Sequence, residues 1–349
     1  MQLIFAILRL MNKIDENRLY WIDAIRSFAC LCVLLTHSVI PGGTRGNYII
    51  APIQYMAVAG ASVLFFMISG ALVFNKPKPF VPFIKRRLAK IYLPMVIWTV
   101  VTLLIFCFTG GLKWSQLPNA LMLIPFTQQF GTYWFIYVIF GIYLLTPMVA
   151  TWLEKCSRTD VLILLIVSGV AMTVPYLRIV DKDFSKALYT ETGSLYYFVG
   201  YLWICLMGYY IRRYVNIPKF KWWHLLVLLL VLALPFALQW LGEPYALVKK
   251  RTTINVVLLC ACYFIIIKHI KLSQRMKLAV YNFAQHSFGI YLVHMQIIKF
   301  ILTPLVNSLD LSYTVSIPLV FVSSVVISYI IVHLISKLPF SEYLIAYKS

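Results

Sequence analysis

Long apolar stretches alternate along this chain with short polar segments, most of them basic. Ten stretches read as membrane-spanning helices: about 21–41, 54–75, 91–109, 131–152, 160–177, 194–212, 221–241, 252–268, 280–306 and 313–337. A hydrocarbon core of about 30 Å takes roughly 20 apolar residues in a helix rising about 1.5 Å per residue, and the stretches approach that length. The one at 160–177 is short, whereas 280–306 is long enough to tilt, or to break near Thr303-Pro304. The pattern predicts an all-α, polytopic transmembrane bundle. It divides the chain into an N-terminal segment 1–20, a transmembrane domain 21–337 and a short tail 338–349. No linker, polar domain or internal repeat stands out, which weighs against an inverted-repeat transporter.

Composition sharpens this reading. The chain is 62% hydrophobic and only 12% charged, against about 25% charged in a soluble domain. Mean hydropathy is +0.85. The seven cysteines form no C-x-x-C pair and nearly all lie in apolar stretches. They read as small packing residues, with neither a disulfide framework nor a zinc site indicated. The opening residues Met1–Leu10 are apolar but lack a basic start and a small-residue cleavage site. An interfacial helix is expected there rather than a signal peptide, and Met11 is an alternative start of translation.

The net charge of +20 raises the question of nucleic acid. The location of the charge answers it, because the basic residues crowd into alternate short loops. With the N-terminus in the cytoplasm, the cytoplasmic segments hold 21 of the 31 Lys and Arg and the external loops hold 8; Arg26 and Lys299 lie within spans. This bias predicts both termini cytoplasmic, with the lipid bilayer and its anionic inner leaflet as partner and no nucleic acid. The run Lys249-Lys250-Arg251 falls outside on this count and is read as a tolerated exception rather than an acceptor-binding patch.

Chemistry enters with the first span. Arg26 and His37 are eleven residues apart. At about 100° and 1.5 Å per residue they share one face, separated by roughly 16 Å along the axis. Ionisable groups at membrane depth are costly and usually functional. His37, with an ordinary imidazole pKa near 6.5, is the natural general base. The competing reading is a buried histidine satisfied by a backbone carbonyl. Arg26 offers a planar five-donor fork suited to phosphates. Its competing readings are snorkelling, or pairing with Asp23, three residues away on the same face.

Other candidates are weaker. The run Lys85-Arg86-Arg87 with Lys90 leads into the third span. It is a topology anchor or, through Arg86, Arg87 and Lys90, a phosphate-binding patch. Ser69-Gly70 permits close helix approach, and a ligand role for Ser69 is secondary. Tyr133 and Trp134 are belt aromatics or a sugar-stacking platform. His286, His294 and His333 lie in the last two spans, but no spacing supports a metal site, and none is expected.

Taken in order, these residues resemble the acyltransferase 3 family of bacterial integral membrane acyltransferases. The resemblance rests on Asp23-x-x-Arg26 with His37 eleven residues on, Phe65-Phe-Met-Ile-Ser-Gly70, Arg86-Arg87-x-x-Lys90, Trp134-Phe135 and Ser287-Phe-Gly-Ile-Tyr-Leu-Val-His294. It covers roughly 20–337 and extends to the compact members that act on enterobacterial common antigen and exopolysaccharides. It implies transfer of an acyl group, usually acetyl, from acyl-CoA to a hydroxyl of a cell-envelope glycan or glycolipid. The implied setting is the bacterial inner membrane. Acetyl-CoA or another acyl-CoA would be a donor substrate, with no permanently bound cofactor. His37 would be the catalytic base, with Asp23 beside it in the catalytic set. Arg26, Arg86, Arg87 and Lys90 would hold the donor, and Ser69, Tyr133, Trp134 and His294 the acceptor. Lys90 stands where many members carry a second arginine, which bears on bidentate phosphate recognition there. A transporter or flippase for an anionic glycan intermediate is the alternative.

Overall fold

The computed structural model describes residues 18–39, 50–179, 194–217, 219, 221–242, 245–309 and 311–347. The expected N-terminal interfacial helix, Met11, Arg45, Lys182, Lys186 and Asp310 lie outside the described residues. The described residues are 82% helical and contain no strand. In chain order the helices are α1 (Tyr20–Ser38), α2 (Ile50–Gly60), α3 (Ser62–Val73), α4 (Phe80–Arg87), α5 (Leu93–Phe108), α6 (Leu117–Leu123), α7 (Trp134–Lys155) and α8 (Arg158–Thr173). They continue as α9 (Tyr201–Tyr214), α10 (Trp222–Trp240), α11 (Ile254–His269), α12 (Gln274–Ile297), α13 (Thr303–Ser308), α14 (Tyr313–Ile335) and α15 (Ser341–Ile345).

Among the described residues, eight helical stretches are long and apolar enough to cross a membrane. The other two of the ten expected spans form shorter helices: α9 with 14 residues and α11 with 16. The chain is therefore a multi-pass membrane protein.

The chain divides into two compact units, Met1–Cys32 with Pro52–Pro77 and Met148–Tyr281, and Val33–Ala51 with Lys78–Pro147 and Asn282–Ser349. In the first unit, α3 and α9 cross at two glycines. A Cβ built on Gly70 would fall on the carbonyl oxygen of Cys205, and one on Gly208 would fall on that of Met67. Small residues let two backbones approach closely in lipid, where water supplies no force to drive helices together. Nearby, the buried Asn255 amide donates to the Val248 carbonyl at 2.7 Å and to the Tyr55 hydroxyl at 3.2 Å, and its oxygen accepts from Tyr176. Helix α8 begins on a capping box. The Ser157 hydroxyl accepts from the Asp160 amide at 3.1 Å, and the Asp160 carboxylate accepts from the Ser157 amide at 2.9 Å.

Two π turns mark the second unit, at Leu88–Tyr92 before α5 and at Ile298–Leu302 before α13. Each ends two residues before a proline, Pro94 or Pro304. A proline cannot donate to the carbonyl four residues back. Here those carbonyls belong to Lys90 and Phe300, both inside the π turns, where the bonding ladder is already rewired to i→i+5. The expected irregularity near Thr303-Pro304 thus appears one turn earlier, as a bulge rather than a break. Gly289 of α12 packs against Val332 and Ile345. The Trp98 indole donates to the Leu344 carbonyl at 2.9 Å, docking α15 on α5.

Candidate active site

Helix α1 carries the strongest sequence signal, and its lower end is held in the first unit. Asp23 is buried and receives two bonds from Arg18, from Nε at 2.7 Å and from Nη2 at 3.1 Å. Arg26 stands further off, its Nη1 at 3.9 Å from Oδ1, the oxygen that Arg18 Nη2 also reaches. The primary partner of Asp23 is therefore Arg18, not Arg26. Arg18 also lies 4.4 Å over the Tyr281 ring, and the Ser27 hydroxyl donates to the Val280 carbonyl at 3.1 Å. These contacts fasten the start of α1 to the start of α12. Asp23 lies fourteen residues before His37 on one helix, about 21 Å along its axis. Its contacts are with arginines, so its geometry is that of a group positioning them.

The upper end of α1 belongs to the second unit. There His37 meets His294 of α12, with ring centroids 5.4 Å apart and planes inclined by 46°. His294 is fully buried. Its Nδ1 lies 2.8 Å from the Tyr291 carbonyl. A carbonyl only accepts, so Nδ1 carries the proton and Nε2 presents a lone pair. That Nε2 has no hydrogen-bond partner among the described residues. A buried acceptor left unmatched costs about 1–3 kcal/mol, which suits a position that a donor fills during function. The structure thus brings together two histidines that the sequence placed on separate spans.

Around them, Tyr133 and Gln296 form a buried polar cross-link. The Tyr133 hydroxyl donates to the Leu292 carbonyl at 2.7 Å, and the Gln296 amide donates to Tyr133 at 2.7 Å and to the Thr102 hydroxyl at 2.9 Å. The Tyr133 ring is 1% exposed and packs edge-on against Phe130. This overturns its reading as a sugar platform, since no ring face is left open. Trp134 is only half-buried and remains a candidate. Ser69 is half-buried in the first unit, beside the Gly70 crossing. Gln296 went unnoticed in the sequence because a lone amide in an apolar helix carries no spacing signal.

The basic run splits by orientation. Arg86 and Lys90 are exposed. Arg87 lies 5.1 Å over the Phe83 ring and 4.8 Å over Tyr143, packed as a cation on aromatics. Lys78, which the sequence reading did not single out, joins it 5.3 Å over Phe83. Burial and then the neighbouring Arg87 and Arg86 hold the Lys78 pKa below the usual lysine value. A lysine whose charge is disfavoured by neighbouring cations marks a spot where an anion is favoured. Among the described residues no group of three or more His, Cys, Asp or Glu could hold a metal ion.

No curated protein matches the chain, and neither does a solved structure. The model of the acyltransferase domain of the acyltransferase 3 type matches residues 19–333. That match takes in both ends of α1, the Lys78–Lys90 basic surface and the His37–His294 pair, so the chain belongs to the acyltransferase 3 family and is a membrane acyltransferase.

Proposed function

We propose that this enzyme takes an acyl group, acetyl in the simplest case, from acyl-CoA and places it on a hydroxyl of a cell-envelope glycan or glycolipid. The setting is the bacterial inner membrane, with both termini cytoplasmic, as the charge bias favours. The observation that carries this reading is helix α1. It is continuous from Tyr20 to Ser38, and it spaces a phosphate-type cation, Arg26, from a base, His37, by roughly 16 Å. That span is comparable with an extended pantetheine arm. The charge bias assigns Arg26, Lys78, Arg86, Arg87 and Lys90 to the cytosolic side, where acyl-CoA is found.

On this reading His37 removes the proton from the acceptor hydroxyl as its oxygen attacks the thioester carbonyl. The tetrahedral intermediate collapses, the C–S bond breaks, and the CoA sulfur leaves, taking the proton back from the imidazolium. The fixed lone pair on His294 Nε2 accepts a hydrogen bond from the attacking or a neighbouring hydroxyl and orients the acceptor. Asp23 anchors Arg18 and attracts Arg26 only weakly, at 3.9 Å. Ser69 and Trp134 remain acceptor-binding candidates, each within its own unit. His37→Ala in the purified protein, assayed by release of CoA thiol with candidate glycans, should abolish turnover and leave donor binding nearly intact. Near-normal turnover would remove His37 from the mechanism.

A further inference from the structure

Away from the α1 site, the first unit holds a second cationic cluster that the proposed reaction does not use. Arg158 opens α8 and Arg213 lies in the last turn of α9. Their guanidinium carbons stand over one ring, Tyr214, at 5.9 Å and 5.6 Å from its centroid. Each is fixed by a neutral partner. Arg158 Nε donates to the Tyr210 hydroxyl at 3.2 Å, and Arg213 Nη1 donates to the Tyr209 hydroxyl at 3.0 Å. Arg213 also lies 5.8 Å over the Tyr209 ring. The tyrosines hold both forks in place without neutralising them.

The acids nearby are engaged elsewhere or make no pair. Asp160 caps its own helix through Ser157, and Glu154 makes no ion pair within 4.0 Å among the described residues. Among the described residues, the ion pairs all centre on Asp23. Arg158 and Arg213 are both exposed. Among the described residues each spends one of its five donors on a tyrosine and pairs with no carboxylate, so most of two planar forks faces outward. An anion arriving there meets donors whose side-chain entropy is already partly lost.

The surface beside Arg158 narrows the choice of anion. One and two turns along the same face of α8 come Leu162 and Ile166, 39% and 57% exposed, with Ile163 at 53%. A cationic head above an open aliphatic stripe matches an amphiphile rather than a soluble ion. We propose that Arg158 and Arg213 with Tyr214 form a binding site for the headgroup phosphate of an anionic phospholipid, whose acyl chain lies along Leu162 and Ile166.

Native mass spectrometry of the full chain, released from micelles doped with phosphatidylglycerol or phosphatidylcholine, tests this. The wild type should retain one more phosphatidylglycerol than the variant R158Q/R213Q, whose affinity should fall at least tenfold, and should show no such preference for phosphatidylcholine. Equal phosphatidylglycerol retention by the two proteins overturns the site. The wild type alone provides a second reading that does not depend on the variant's folding. Raising ionic strength should strip the bound phosphatidylglycerol, because an exposed charge pair is screened over about 8 Å at physiological salt and less far above it; salt-insensitive retention overturns the site. Millimolar inorganic phosphate separates the sources: failure to displace the lipid supports a headgroup site, and full displacement reassigns the cluster to a soluble phosphate and overturns the lipid proposal.

Discussion

Asp23→Asn separates two roles for the carboxylate at the lower end of α1. The substitution keeps the shape and removes the charge. Arg18 loses a bidentate partner whose two bonds are 2.7 Å and 3.1 Å long. Arg26 loses only an attraction at 3.9 Å. The Asn amide also turns a donor toward one guanidinium. A hydrogen bond to a charged group is worth about 1.5–3 kcal/mol. Removing one partner of a fully buried pair costs about 3–5 kcal/mol. The aspartate side chain is 4% exposed, but Arg18 and Arg26 are 34% and 31% exposed, so water recovers part of the loss and about 2 kcal/mol is expected. Double-mutant cycles on thermal unfolding in detergent apportion it. The Arg18–Asp23 coupling should exceed about 1 kcal/mol and the Arg26–Asp23 coupling should stay below about 0.5 kcal/mol. An Arg26–Asp23 coupling equal to or larger than the other would refute the assignment of Arg18 as the main partner. It would also favour a purely structural Arg26, in which case Arg26→Lys should leave acyl-CoA affinity unchanged.

Gly208→Ala should lower the unfolding temperature: alanine favours a helix by about 1 kcal/mol, but the new methyl meets the Met67 carbonyl, and overpacking of about 1–3 kcal/mol wins; unchanged or raised stability would show that α3 and α9 separate freely. Lys78 has a lowered pKa, so it loses its proton as pH rises before an ordinary lysine does. Donor KM should therefore climb at alkaline pH in the wild type and stay flatter in Lys78→Met; superimposable profiles would remove Lys78 from donor binding. Tyr133→Phe strips one partner each from Gln296 and Leu292 and should cost about 1–2 kcal/mol of stability, read by thermal unfolding with donor affinity unchanged; a stability within error of wild type would show the cross-link to be idle. Lys271→Cys should be shielded from impermeant thiol reagents in intact cells, and labelling from outside would invert the topology.

What the sequence made legible follows from period. Apolar length marked the spans, and the helical repeat turned eleven residues into an expected shared face for Arg26 and His37, both of which lie on one continuous helix, α1. Contacts between elements carry no period. Arg18 sits before the first turn of α1, so no helical spacing tied it to Asp23. The partner of Gly70 in the α3–α9 crossing is the Cys205 backbone, and Gly208 supplies the reciprocal gap. Only assembly shows that two single glycines, far apart in sequence, belong to one contact.

The basic run shows the limit from the other side, because there a helical period would mislead. Arg86 and Lys90 are four apart, which on an ideal α-helix would align them as neighbours on one face. The π turn at Leu88–Tyr92 intervenes and shifts the register by about one residue per turn of π-helix. Arg87 is meanwhile turned onto Phe83 and Tyr143. The cationic surface is therefore assembled from Arg86 and Lys90 outward, Arg87 on its aromatic bed, and Lys78 arriving from the preceding Pro77-Lys-Pro79 segment onto the same Phe83 ring. The signal for the bulge was Pro94, read with the i→i−4 bond it cannot make to Lys90. A proline four residues after a cation at the entry of a span thus says that the cation's carbonyl has been released from the α-helical ladder. Its side chain should not be placed by the helical repeat.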